Sequence, residues 1–96
     1  MTTQHIKVIG RVQGVGYRRW VEDTAKELGL SGWVRNTSDG AVEIMVKGDN
    51  ETVNIFLGKC LKGPFFASVL GIQAISVPQY APEPIEEGKF KVVASV

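Results

Sequence analysis

A short loop rich in glycine and arginine is the part of this chain best suited to chemistry. It runs from Gly10 to Arg19 with the sequence GRVQGVGYRR. Gly14 and Gly16 let the backbone curl so that successive N–H groups converge on one point. Arg18 can add two parallel hydrogen bonds to phosphate oxygens. These residue types and their spacing predict a cradle for a tetrahedral dianion such as phosphate.

Two well-known phosphate-binding patterns do not describe this loop. A P-loop needs a lysine and a Ser or Thr after its second glycine, and no such lysine follows here. The dinucleotide-binding pattern needs a third glycine at the position that Arg19 occupies. Spacing alone therefore leaves two alternatives, a functional anion site and a structural turn.

Hydrophobic spacing predicts the elements that hold this loop. Alternation over residues 5–12 is typical of a strand, and an apolar stripe from Tyr17 to Leu28 is typical of a helix. Gly29 then provides a left-handed helix end. Further alternation predicts a hairpin, whose strands cover 32–37 and 41–47 and whose turn covers 36–40.

The rest of the chain continues with one helix and two strands. Asp49 is the expected N-cap of a helix whose apolar stripe runs from Val53 to Leu61 and which ends at Gly63. The remaining predictions are a strand at 67–78 with a bulge near Gly71 or Gln73, a proline-containing loop at 80–88, and a short strand at 90–96.

This order of elements predicts an α+β fold with a βαββαβ core. Two interleaved βαβ units give a two-layer sandwich with an antiparallel sheet, both helices on one face, and a short extra C-terminal strand. We expect residues 1–96 to form a single domain, because 96 residues leave no room for a second core.

Composition excludes several classes of function. Eleven basic and ten acidic residues give a net charge of +1, which provides no electrostatic footprint for nucleic acid or an anionic membrane. One cysteine and one histidine exclude an internal disulfide and a zinc site of the usual Cys/His kind. With no signal peptide or bilayer-length apolar run, we expect a cytoplasmic protein. We also expect it to be a monomer.

The segment from residue 7 to Gly48 resembles the acylphosphatase family. The likeness rests on VQGVGYR at 12–18, GWVRN at 32–36 and DGAVE at 39–43, with a looser echo at Phe56-Leu57, Gly63-Pro64 and Val69. The resemblance implies a ferredoxin-like sandwich. It also implies that a small acyl phosphate is hydrolysed to a carboxylate and inorganic phosphate.

The resemblance also implies roles for two side chains. Arg18 would hold the phosphoryl group, and Asn36 would orient the attacking water. The backbone N–H groups of the loop would complete the cradle, at Gly14, Val15, Gly16, Tyr17 and Arg18. The leaving carboxylate belongs to an acid with a pKa of about 4, so we expect no general acid, no metal and no cofactor.

The sequence departs from the family pattern near its C-terminal end and after the second helix. Family members often close with Phe-x-Ile/Val-Arg, whereas Val93 follows Phe90-Lys91-Val92 here. The missing arginine bears on local stability or edge geometry more than on catalysis. Phe65 and Phe66 stand where prokaryotic relatives often have smaller residues, and they would either enlarge the core or line a groove.

Other side chains with chemical potential have simpler interpretations. We expect His5, Arg19 and Arg35 to be solvated surface groups rather than acid–base or anion-binding groups. We expect Trp33 to pack rather than to stack on a ligand, and Cys60 to be a small core residue.

Three competing functions deserve comparison with an enzyme. RNA-binding domains of the same fold need exposed aromatic residues on central strands, and residues 41, 43, 45 and 47 include none. A domain of a larger carbamoyl-transfer maturation protein would need further domains, which these 96 residues lack unless they are an excised fragment. A non-catalytic phosphate binder would not need both Arg18 and Asn36.

Overall fold

The computed structural model describes residues 1–75 and 83–96. Within these residues, the strands and helices follow one another in the predicted order. Their bounds are β1 Thr2–Arg11, α1 Tyr17–Glu27, β2 Ser31–Asn36, β3 Val42–Gly48, α2 Asn50–Lys62, β4 Ser68–Ala74 and β5 Phe90–Val92. None of the helices in this part of the chain is long and apolar enough to cross a membrane.

The strands form one sheet in the order β4-β1-β3-β2-β5. β1 pairs antiparallel with β3 and β4, and β2 pairs antiparallel with β3, as the βαββαβ prediction requires. β5 pairs with β2 in parallel, so the complete sheet is mixed. The parallel pairing follows from the path of the chain, because β4 runs opposite to β2 and ends at the edge where β2 begins.

Local signals set the ends of both helices. α1 closes in a Schellman motif, in which Gly29 has φ 70° and Leu30 N–H donates to the Ala25 carbonyl at 3.0 Å. α2 begins at the predicted cap, where Asp49 Oδ1 accepts from Thr52 N–H at 3.0 Å. The sequence therefore predicts these ends closely.

The core lies between the helices and one face of the sheet. Alternate residues of the three central strands point to this face and pack against apolar residues of both helices, so both helices cover the same side. The buried cluster includes Ile6 and Val8 of β1, Val34 of β2, Val42, Ile44 and Val46 of β3, Val21 and Ala25 of α1, and Val53, Phe56 and Cys60 of α2.

The two edge strands differ from the prediction within the described residues, where β4 covers Ser68–Ala74 and β5 covers Phe90–Val92. In β4 the pairing shifts so that Ile9 faces Gly71 and Gly10 faces Val69, which leaves Leu70 as a bulge beside the predicted position. Residues 76–78 of the predicted strand and 80–82 of the predicted loop lie outside the described residues. The last strand ends at Val92 instead of Val96.

The outer face of the sheet carries a buried charged cluster that the sequence did not predict. His5 is 4% exposed and Arg35 is 7% exposed, so the expectation that both are solvated is wrong. Glu43 lies between them and accepts from His5 Nε2 at 2.5 Å and from Arg35 Nε at 2.8 Å. The Arg35 guanidinium also lies 4.8 Å from the centre of the Trp33 ring.

This cluster is buried because the outer face does not face solvent there. Trp33 is fully buried on that side, as expected for a packing residue, and its Nε1 donates to the backbone carbonyl of Glu83 at 2.9 Å. The backbone at Glu83 therefore lies against the outer face beside Trp33. Period-two alternation indicates two faces to a strand, but it does not reveal that both are covered.

Candidate active site

The loop between β1 and α1 has the curled backbone that its glycines predict. Gly14 has φ 73° and Gly16 has φ 79°, values that side-chain-bearing residues rarely adopt. A Cβ atom at either glycine would meet no atom within 4 Å. Backbone conformation, not space, is therefore what requires glycine at these two positions.

The N–H groups of this loop have no partners in the described part of the chain. The first loop–helix bond runs from Trp20 N–H to the Gly16 carbonyl at 3.1 Å, and the N-cap Gly16 offers no side-chain cap. None of the N–H groups at 14–18 donates to a described residue. Such groups at a helix N-terminus favour an anion.

A cavity of ≈ 230 Å³ opens beside this loop. Its lining includes Gly14, Gly16, Arg18 and Arg19 of the loop and α1, and Val92 of β5. Arg18 is half-buried and Arg19 is exposed. Among the described residues, no carboxylate lies within salt-bridge distance of either arginine. The cavity therefore carries uncompensated positive charge.

Tyr17 links the start of α1 to α2. Its side chain is 1% exposed, and its hydroxyl donates to the Cys60 carbonyl of α2 at 2.8 Å. Burial raises the pKa of Tyr17 far above its usual value, so the hydroxyl stays protonated. Burial also raises the pKa of the Cys60 thiol to about 12, which agrees with its expected place in the core.

Asn36 is the last residue of β2, at the edge of the sheet where β1 also ends. Its side-chain Oδ1 is buried and has no hydrogen-bond partner among the described residues. Its backbone is held on both sides, by the pairing with Val42 and by Val96 N–H, which donates to the Asn36 carbonyl at 3.1 Å. A buried carbonyl oxygen without a partner is costly, so this position favours a water molecule or a ligand.

Sheet register relates Asn36 to the loop. Val8 of β1, Val42 of β3 and Asn36 of β2 form one row across the sheet, and the loop begins four residues after Val8. Asn36 is not part of the cavity lining, although Val92, which pairs with Val34, is. Arg18 lines this cavity, while Asn36 lies at the same end of the sheet without forming part of the cavity wall.

Gln13 is a residue of this site to which sequence reasoning assigned no role. Its Nε2 donates to the backbone carbonyls of Thr37 and Ala41, each at 2.8 Å. These bonds tie the loop to the turn that follows Asn36. The sequence feature that could have revealed this role is the residue type, since Gln13 is the one long polar side chain between Val12 and Tyr17.

The turn at 37–41 is stabilised by its own side chains. Thr37 Oγ1 donates to Asp39 Oδ1 at 2.5 Å and lies 3.1 Å from the Ala41 carbonyl. Lys7 pairs with the other oxygen of Asp39. Hydrogen bonds from Lys7 and Thr37 lower the pKa of Asp39 to about 2. Asp39 is therefore a turn-stabilising carboxylate and not an acid–base group.

A larger cavity of ≈ 440 Å³ lies at the opposite end of α1. Its lysines are close to carboxylates, with Lys26 3.5 Å from Glu22 and Lys89 3.8 Å from Glu86. It has neither the glycine loop nor unpaired arginines. No group of three or more His, Cys, Asp and Glu side chains that could hold a metal is present within 1–75 and 83–96.

Comparison with known proteins points to one family. The family model described as acylphosphatase matches residues 4–92. An acylphosphatase from Acidiphilium cryptum is 43% identical over 91 residues, which cover 95% of this chain and 96% of that protein.

Solved structures agree with this match. The crystal structure of an acylphosphatase from Bacillus subtilis has a TM-score of 0.83 and 33% identity, and covers 97% of this chain and 99% of that one. HypF from Thermococcus kodakarensis has a TM-score of 0.78 and 30% identity, and covers 99% of this chain but 12% of its own. The same fold therefore also occurs as a small part of a much longer chain.

Proposed function

The chain belongs to the acylphosphatase family, hydrolases that act on acyl phosphates, and from this premise we propose how its residues carry out the reaction. The phosphoryl group binds to the N–H groups of the loop at 14–18 and to Arg18. Asn36 orients the water that attacks phosphorus. The products are a carboxylate and inorganic phosphate, and no metal takes part.

The observation that carries this proposal is the pair of unused polar groups at one sheet edge. The N–H groups of the loop lack partners in the described part of the chain, and so does the buried Oδ1 of Asn36. The first set is suited to an anion and the second to the hydrogen of a water molecule. Together they supply the two binding functions that this hydrolysis needs.

The electrostatics favour a phosphoryl dianion. Phosphoryl transfer passes through a loose transition state with charge on three equatorial oxygens. Convergent N–H groups at the start of α1 and the Arg18 guanidinium are fixed donors for these oxygens. The lining of the cavity contains no carboxylate that would repel the phosphoryl oxygens.

The covalent step needs few groups. The water oxygen forms a bond to phosphorus, and the bond between phosphorus and the acyl oxygen breaks with its electron pair on the carboxylate. The proton of the water ends on a phosphate oxygen. Because the carboxylate leaves without protonation, the chain needs neither a general acid nor a Lewis acid. The buried Tyr17 and the exposed turn residue Asp39 take no part.

Hydrolysis of acetyl phosphate and benzoyl phosphate, measured with and without a chelator, tests this proposal. We expect phosphate release that the chelator does not change. Arg18→Ala and Asn36→Ala should each lower kcat/KM by at least about 10²–10³, by analogy with the loss of one oxyanion donor. Inorganic phosphate should inhibit competitively, and Arg18→Ala should weaken that inhibition.

The matched control is Asn54→Ala, on the exposed face of α2. It should retain wild-type activity within about threefold. Activity that depends on added metal would contradict metal independence. Full activity of Asn36→Ala would contradict the water-positioning role even if acyl phosphates are hydrolysed.

A further inference from the structure

Gln13 connects the two halves of the site through a single amide nitrogen. Its Nε2 has two hydrogens, and two backbone carbonyls, those of Thr37 and Ala41, each lie at 2.8 Å. Both hydrogens of the side-chain amide are therefore donated to the same turn, one to each carbonyl. The half-buried position of Gln13 shields these bonds from competing water.

The two accepting carbonyls flank the turn next to Asn36. Thr37 follows Asn36 directly, and Ala41 precedes Val42, the residue that pairs with Asn36 across the hairpin. Gln13 itself precedes Gly14, the first residue of the curled loop. The side chain thus links the start of the anion cradle to both ends of the turn that follows the candidate water-binding residue.

No other side-chain hydrogen bond or ion pair in the described part of the chain joins this loop to the turn. Thr37 and Asp39 bond within the turn, and Lys7, which pairs with Asp39, lies on β1. Tyr17 bonds in the other direction, to α2. The spacing between loop and turn therefore depends on Gln13 together with the sheet.

We propose that Gln13 is a positioning residue that fixes the distance between the phosphate cradle and Asn36. The inference rests on the proposed function of these two groups. Attack requires the water oxygen to lie in line with phosphorus at about 3–3.5 Å, and an error of about 1 Å can cost about 10²-fold in rate. Phosphate binding, by contrast, needs the loop and Arg18 but not Asn36.

This role predicts a specific kinetic signature for Gln13→Met, which keeps the length of the side chain and removes its donors. We expect kcat on benzoyl phosphate to fall about 10–100-fold. The inhibition constant of inorganic phosphate should stay within about threefold of wild type, because the cradle is intact. Gln73→Met, at an exposed position on β4, is the matched control and should change neither.

A double mutant separates positioning from general stability. If Gln13 acts through Asn36, adding Gln13→Met to Asn36→Ala should lower kcat by less than about threefold further. A merely structural residue would lower kcat by the same factor in both backgrounds. Thermal unfolding of each variant, followed by circular dichroism, identifies loss of the folded state.

Gln13→Glu provides a second test, which does not require Gln13→Met to be stable. Its carboxylate has no hydrogen for the two carbonyls, whereas the neutral acid can donate to one of them. We expect kcat relative to wild type to be lowest near pH 7 and to rise as the pH falls towards 5.

The outcomes are distinguishable. Three results would overturn the positioning role. The first is an unchanged kcat in Gln13→Met, and the second is phosphate inhibition that weakens by the same factor as kcat falls. The third is a loss of kcat in the Asn36→Ala background as large as in wild type. An unfolded Gln13→Met together with a flat pH ratio for Gln13→Glu would overturn it as well. Absence of acyl phosphate hydrolysis by the wild-type protein would instead refute the proposed function.

Discussion

The carboxamide of Asn36 offers an acceptor and a donor at a place where a carboxylate would offer only charge. Asn36→Asp keeps the shape of the side chain but places a negative charge close to the proposed position of the phosphoryl dianion. We expect kcat/KM for benzoyl phosphate to fall by at least about 10³, through repulsion of the substrate and of the charge in the transition state. Steady-state kinetics at pH 7 measure the loss.

The control for this substitution is Asn54→Asp, which adds the same charge on the exposed face of α2. It should leave kcat/KM within about threefold of wild type. A similar loss in both variants would mean that overall charge, and not charge at the site, determines the effect.

Glu43 should control the acid stability of the fold. Burial alone would raise the pKa of Glu43, but the hydrogen bonds from Arg35 and then His5 outweigh it and hold the pKa below its usual value. A lowered pKa in the folded state stabilises the protein above the unfolded pKa of about 4.3, and this stability is lost as the pH falls through the folded pKa. Glu43→Gln removes the contribution.

Chemical denaturation at several pH values measures this effect. We expect Glu43→Gln to lower the free energy of unfolding at pH 7 by about 1–3 kcal/mol. The difference from wild type should shrink between about pH 5 and pH 3. A difference that stays constant over this range would show that the carboxylate charge is not responsible.

At the residue scale, the sequence predicts which side chains belong to a candidate site better than it predicts which polar side chains are buried. Arg18 follows from its place at a helix start beside two glycines, and the structure puts it in the cavity lining. The expectation for His5 and Arg35 was wrong, because their burial depends on pairing with a neighbouring strand, where both side chains bond Glu43. Gln13 was missed for the same reason, since its partners lie more than 20 residues further on.

At the scale of elements, the loop and α2 offer a pair of glycines for comparison. Gly16 has φ 79°, whereas Gly58 lies inside α2, and an added Cβ at either position would meet no atom within 4 Å. The same substitution should therefore have opposite effects. Gly16→Ala should destabilise by about 1–2 kcal/mol through backbone strain, and Gly58→Ala should stabilise by about 0.5–1 kcal/mol.

Urea denaturation gives both changes, and phosphate inhibition reports on the loop. Gly16→Ala should weaken inhibition by inorganic phosphate, because the N–H groups no longer converge, while Gly58→Ala should leave it unchanged. Unchanged inhibition in a destabilised Gly16→Ala would show that the curl of the loop does not hold the anion.

Elements with a local signal were predicted well, and elements that depend on distant pairing were not. Asp49 and Gly29 mark helix ends through contacts within a few residues, and the structure confirms both. The parallel pairing of β5 depends instead on where the chain returns from the far side of the sheet. Alternation predicts that a strand exists, but it does not predict its neighbour or its direction.

At the scale of the whole molecule, Phe65 and Phe66 form an exposed apolar feature. They are 93% and 73% exposed, and their ring centres lie 5.2 Å apart, so they do not enlarge the core. Phe65→Ser with Phe66→Ser should change the free energy of unfolding by less than about 1 kcal/mol and should raise solubility in ammonium sulfate. Phe56→Ala, at a fully buried position, should cost about 3–5 kcal/mol.

Thermal unfolding and a precipitation curve test these expectations together. A loss in the double serine variant that approaches that of Phe56→Ala would mean that the two rings support the fold. Unchanged precipitation would mean that this surface does not limit solubility.

The backbone bonds from Val93 to Val34 and from Val96 to Asn36, at 2.9 and 3.1 Å, have a consequence for protein synthesis. A ribosome makes β1, the loop and Asn36 first, and domains generally fold from the N-terminal side as they emerge. Residues 90–96 are translated after every other described part of the site. A nascent chain in which residues 90–96 are still inside the exit tunnel therefore lacks Val92 in its cavity wall and the bond that holds the Asn36 carbonyl. We expect catalytic competence to arise only once Val96 has left the tunnel.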